Sequence, residues 1–505
     1  MRSKKAIYNI STNLVLQIIN VVYGFIVPKI IISSFGSNVN GLISSITQFL
    51  TYIALLESGF GPVVKAALYK PIAKNDKTTI ANILKTTEKF FRTIAYIFLG
   101  YIFILCILYP LLVGKDFDYL YTVSLIVIIS ISTFAEYFFG MTYRLYLQAE
   151  QKNYVISIIQ IVTYIVSIIL IVVLAKIGAS IQIIKLVSGI VFIFRPILQN
   201  VYVKKKYNIS FDNVDSDYKL KNKWDGLAQH IAAVIHGNTD ITVLTFFCNL
   251  AEVSVYSVYY LVVKGVKSAI QAFTSGIDAS FGDMIAKKEE KNLNEKFQMY
   301  EVAYFTLCTI VFTCTMVLIV PFVSVYTKGI TDANYIRYSF GYLIVISEYI
   351  WAIRLPYSSI TLAAGHFKET RIGAWVEAIV NIIISIILVS KFGIIGVAIG
   401  TIIAMTIRTI EFIYHTNKYI LKRNIWLTVN KIIVIVFETL VCVLISKYLF
   451  IFKEISYFNW ILNAFVIFIV SSIVILIINV NLYKKEFYNL FIIVKKMLKK
   501  KVKNI

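Results

Sequence analysis

Leu147-Gln-Ala149, a long apolar run and then Lys176-Ile-Gly178 reappear 215 positions later as Leu362-Ala-Ala364, a second apolar run and Lys391-Phe-Gly393. The interval from alanine to glycine is the same in both copies. Upstream, Gly24 answers to Gly237 and Ser44 to Ser257 at a similar offset. A shared offset implies a duplication. Six apolar segments fit in one repeat, each near the roughly 20 residues that cross about 30 Å of hydrocarbon. Six is an even number, so both copies run in the same direction and are related by an axis along the membrane normal.

Working outward, about fourteen such segments fill the chain, near 10–34, 39–63, 90–113, 119–147, 154–175, 179–202, 226–249, 253–284, 298–326, 338–364, 371–390, 394–415, 427–450 and 458–482. With 58% hydrophobic residues in 505, the composition excludes an ordinary soluble domain. We expect an all-α polytopic membrane protein with two six-helix lobes around a central cavity. Residues 1–203 form the first lobe, 204–224 a cytoplasmic linker and 225–416 the second lobe. Residues 417–505 hold helices 13 and 14 and a basic tail. The longest polar stretch, Lys204–Trp224, is too short for a catalytic domain.

The net charge of +23 does not point to nucleic acid. With the amino terminus inside, about 39 Lys and Arg fall on the cytoplasmic side and about 9 outside, the bias that orients membrane proteins. Anionic membrane lipids meet this basic face. The cysteines (106, 248, 308, 314 and 442) lie in apolar runs without a close CxxC pair, and the four histidines show no metal spacing. The start, Arg2-Ser-Lys-Lys and an apolar run, mimics a signal peptide. It lacks a small-residue cleavage site and reads as a retained span. No Walker loop is present, and Asp116-Phe-Asp118 reads as a turn rather than a metal-binding loop. Neither catalytic residues nor a metal site nor a cofactor is expected, and the protein reads as a non-enzyme.

The ionisable residues at membrane depth point to function, because a charge there is costly and normally faces a partner or a watery cavity. Steps of three and four place Tyr256, Tyr260, Lys264, Lys267, Gln271, Thr274 and Asp278 on one helix face. That stripe predicts a cavity for an anion. Asp240 lies at comparable depth, as a cavity group or as a neutralising partner for a lysine. Glu348 and Arg354 on span 10, Arg144 on span 4 beside Glu136, and Lys29 on span 1 complete the candidate cavity. Span 1 also carries an Asn13, Gln17, Asn20 and Gly24 stripe. Gly59, Gly61 and Pro62 are expected to break span 2 as a hinge, with Gly276 in the matching role on span 8.

Phe35-Gly-Ser-Asn-Val-Asn-Gly41, Glu57-Ser-Gly-Phe-Gly-Pro62 and Leu147-Gln-Ala-Glu-Gln-Lys-Asn-Tyr154 resemble the first lobe of Wzx-type polysaccharide flippases. Ala363-Ala-Gly-His-Phe-Lys368, Asn381 and Lys391-Phe-Gly-Ile-Ile-Gly-Val-Ala-Ile-Gly-Thr401 resemble the second. These flippases belong to the multidrug/oligosaccharidyl-lipid/polysaccharide (MOP) exporter superfamily. The resemblance implies translocation of an undecaprenyl-pyrophosphate-linked oligosaccharide across the bacterial cytoplasmic (inner) membrane, for O-antigen, capsule or exopolysaccharide synthesis. It also implies a polysaccharide polymerase complex as partner. H+ or Na+ coupling and product consumption both stay open as energy sources. The alternatives are a drug/cation antiporter, for which acidic cavity residues are expected, and a lipid II flippase. The latter is expected to carry several arginines in its first two spans, where this chain has Lys29. A non-transporting assembly scaffold is a third.

In a cysteine-free background, single cysteines at Asp116 and Asn334 should label from outside the cell, and those at Asp215 and Asn504 only after permeabilisation. Labelling of Asp215 from outside would refute the fourteen-span arrangement with both termini cytoplasmic.

Overall fold

The computed structural model describes residues 2–57, 59–114, 116–207, 227–274, 278–449 and 454–502. All regular structure among them is helical. Eleven helical segments are long and apolar enough to cross a membrane, so the chain is a multi-pass membrane protein of the all-α class expected. The other three expected spans are also helical: α10 (Leu227–Phe247), α11 (Leu250–Thr274) and α14 (Tyr338–Ala363). Each carries buried or half-buried polar groups along its length. The expected linker lies largely outside the described residues.

The chain divides into two units, Met1–Ser257 and Val258–Ile505, and the division falls within α11. In the first unit α1 (Arg2–Phe35) packs against α8 (Asn153–Lys176), α8 against α9 (Ile181–Tyr207), and α9 against α6 (Tyr119–Ala135). Ile10, Leu14 and Ile18 stay exposed on α1, as befits a lipid-facing surface, whereas Val27, Ile31 and Ile32 are buried. Helix α5 (Lys77–Val113) starts where Asp76 accepts bonds from the Thr79 amide (3.0 Å) and hydroxyl (2.6 Å). This capping holds the exposed Asp76 carboxyl below its usual range. One turn of π-helix, Glu136–Gly140, joins α6 to α7 (Met141–Ala149).

Span 2 is broken. It runs as α2 (Ser37–Thr51), α3 (Ala54–Glu57) and α4 (Phe60–Lys74). Gly59 caps α4 with φ +83°, a left-handed conformation that glycine adopts without steric cost. Pro62 lies in the first turn of α4, where its missing donor breaks no helical bond. The break therefore belongs to Gly59 rather than to the proline. Gly276 lies outside the described residues.

In the second unit α13 (Glu290–Tyr326) is the central helix, covered by α14, α17 (Trp426–Ser446) and α18 (Tyr457–Leu482). Helices α15 (Arg371–Phe392) and α16 (Ile394–His415) pack along each other, and α16 also lies on α14. Helices α12 (Asp278–Ala286) and α19 (Lys484–Val502) both touch α13. The repeated sequence signals fall at equivalent local structures. Ala149 ends α7 and its counterpart Ala364 caps the end of α14, and Gly178 and Gly393, with φ +74° and +54°, follow α8 and α15.

Helix α2 meets the start of α11 at very close range. A Cβ on Gly41 would stand 1.8 Å from the Leu250 carbonyl oxygen. Asn40 beside it donates to Ser254 Oγ at 2.8 Å, and Ser45 shares a 2.7 Å bond with Thr245 of α10. Gly41→Ala should force these helices apart and destabilise the protein by about 1–3 kcal/mol. A thermal melt in detergent that matches the wild type would show that the contact yields without cost.

Candidate functional site

On α11 the polar stripe from Tyr256 to Thr274 lies on one unbroken helix, whereas Asp278, expected on the same face, begins α12. Lys264 and Gln271 are exposed, Tyr260 and Lys267 half-buried, and Tyr256 and Thr274 buried. The Lys267 ammonium stands 2.9 Å from the carboxylate of buried Glu348 on α14 and 4.2 Å above the Trp351 ring, one turn further on. Opposite charge and a π face therefore hold Lys267 together. Lys264 has no acidic partner among the described residues.

Arg354, on the same helix as Glu348, pairs with Glu377 of α15 at 2.6 Å. Arg408 of α16, itself buried, lies 3.8 Å from Glu377, pairs with Glu411 at 2.5 Å and donates to the Thr370 carbonyl at 2.7 Å. Across these residues four cations face three carboxylates, and the surplus is Lys264. Sequence reading did not name Glu377, although a lone carboxylate inside the apolar run 371–390 was the available signal.

A third cluster ties the appended helices to the unit. Glu301 on α13 has no exposed surface. It takes ion pairs from Arg423 (2.8 Å) and from Lys431 of α17 (2.5 Å), a bond from the Thr428 hydroxyl (3.2 Å) and another from the Tyr357 hydroxyl. Saturated on every side, it is a structural clamp.

In the first unit Asp240 of α10 accepts a 2.8 Å bond from the Tyr256 hydroxyl, and Lys29 is half-buried on α1. Arg144 pairs with Glu136 at 3.1 Å across the π-turn. It lines two cavities. One, about 200 Å³, includes Glu57, Gly59, Gly61 and Pro62. The other, about 400 Å³, is bounded by α1, α7 and α8, and half of its lining residues are amides. The structure thus assembles Lys267 with Glu348, and Arg144 with the Gly59 break.

The solved structures of similar fold are transporters. The lipid II flippase MurJ in its inward closed conformation gives a TM-score of 0.68 at 17% identity, covering 93% of this chain and 99% of that one. An inward-facing multidrug resistance MATE family transporter of the MOP superfamily gives 0.59 at 13%, covering 82% and 98%. A MOP superfamily transporter from Pyrococcus furiosus, described as having a binding pocket of reverse polarity, gives 0.56 at 13%, covering 84% and 95%. No family model matches the chain, and no curated protein matches it. The chain has the fold of the MOP superfamily transporters.

Glu301→Ala would strand two buried cations and should cost about 3–5 kcal/mol. Folded yield in membranes and the detergent melting temperature should both fall well below those of Glu411→Ala, whose carboxylate is more exposed. Equal yields and melts for the two variants would remove the clamp.

Proposed function

We propose that the chain is a flippase for a polyprenyl-pyrophosphate-linked oligosaccharide in a bacterial cytoplasmic membrane, with both termini inside. The observation that carries the reading is the surplus cation: exposed Lys264 on a membrane helix, one turn from Lys267. Such a pair suits an anionic head group. It does not suit a cationic drug. Glu348 beside Lys267 gives the anion a competitor, so that binding is strong enough to capture and weak enough to release.

Alternating access of two lobes is the mode of action that suits this fold, since MATE structures are described in inward-facing and outward-facing conformations. The fold also accommodates more than one pocket polarity, as the Pyrococcus furiosus protein's description indicates. A lipid II flippase is the second reading. It is favoured by the MurJ structure's coverage of 93% of this chain, against 82% for the MATE structure. The lack of arginines along the first two spans argues for a different glycan. Coupling to H+ or Na+, or consumption of the flipped product by a polymerase, would supply direction.

Neutralising both Lys264 and Lys267 to Gln should abolish polymer export and leave lipid-linked intermediates on the cytoplasmic side, with the protein still inserted. Replacement of both by Arg should keep part of the activity, because charge survives while geometry changes. Normal export by the double-Gln variant would overturn the anion-binding mechanism and fit a scaffold instead.

A further inference from the structure

The larger cavity beside Arg144 has unused hydrogen-bonding capacity. Asn13 of α1, Gln148 of α7 and Asn153 and Gln160 of α8 all line it, and their side chains make no hydrogen bond among the described residues. Asn13 and Asn153 are exposed and Gln148 and Gln160 half-buried, so the two donors and one acceptor of each amide stand open to a polar group that enters the cleft. A fifth amide, Asn9, is engaged through both its oxygen and its nitrogen. It donates to the Gln151 carbonyl (2.9 Å) and accepts from the Tyr154 amide (2.8 Å), which fixes the corner where α1 crosses the α7–α8 turn. The cavity is therefore held in shape by a residue that a ligand need not touch.

We propose that this cleft binds the carbohydrate part of the cargo, an assignment that rests on the flippase reading above. Sugar hydroxyls donate and accept at once, so neutral amides match them without charge. No carboxylate lines the cleft to attract a cation, and its one guanidinium, Arg144, is already paired with Glu136. A volume of about 400 Å³ lies within the range of small-ligand sites. Next to Asn9 and Asn153, Tyr8 and Tyr154 lie with ring centroids 6.1 Å apart, and Tyr8 is 62% exposed. Rings with an apolar face and a polar edge suit the C–H faces of a pyranose.

The test uses the full chain in lipid nanodiscs with two probes, undecaprenyl pyrophosphate and the same lipid bearing one N-acetylhexosamine. Wild type should prefer the sugar-bearing probe. Asn13→Ala with Gln160→Ala should remove about tenfold of that preference, the effect of losing two hydrogen bonds, and leave the sugar-free affinity unchanged. Size-matched Asn13→Leu with Gln160→Met should do the same with a wild-type melting temperature, which separates binding from folding. No sugar preference in wild type, an undiminished preference in both variants, or an equal loss for both probes would each overturn the assignment. The lysine double-Gln variant tests the parent reading separately, since it should weaken both probes alike. If it binds both as wild type does, the head-group mechanism fails on its own account.

Discussion

A charge within hydrocarbon must find its partner inside the protein, and that constraint organises the second unit. Lys267 has Glu348, Arg354 has Glu377, Arg408 has Glu411, and Glu301 has both Arg423 and Lys431. Each pair bridges different helices or locks one turn, so charge neutralisation and helix packing are the same event. The clamp at Glu301 shows how this extends the fold: α17, which lies outside the expected repeat, is joined to α13 through a fully buried carboxylate.

Against that background the exceptions are the candidates for function. Among the described residues Lys264 is exposed and has no acidic partner, and four of the five amides of the α1–α7–α8 cleft have no hydrogen-bond partner. The two exceptions differ in chemistry, one cationic and one neutral and hydroxyl-matching. On the flippase reading, a lysine already paired with Glu348 would bind phosphate by exchange of partners, so the anion never gains a whole uncompensated charge. Such exchange keeps the barrier to release low.

Much of this was legible in the sequence because membrane helices announce themselves by length and period. Among the described residues the apolar runs and the matched Ala-to-Gly intervals appear as helices or helix ends, and the stripe holds on α11 as far as Thr274. Partners across helices were not legible. Glu377 is 23 residues from Arg354, and no periodicity relates them. The amide cleft draws on Asn13 and Gln160 from helices far apart in the chain. The π-turn at Glu136–Gly140 shifts register where a regular helix was assumed. Of the three residues expected to break span 2, Gly59 takes the left-handed turn, whereas Pro62 sits where a helix tolerates proline.

The central claim is that a membrane helix bearing a surplus cation moves an anionic lipid-linked glycan. Purified protein reconstituted into sealed vesicles, with a fluorescent undecaprenyl-pyrophosphate-linked saccharide in both leaflets and a membrane-impermeant quencher outside, measures that movement directly. The account predicts that quenching proceeds beyond the outer-leaflet fraction with wild type and stops there in protein-free vesicles. If quenching halts at the outer-leaflet fraction in both, while a cationic dye crosses the same wild-type vesicles, the account is wrong and the drug/cation antiporter reading takes its place.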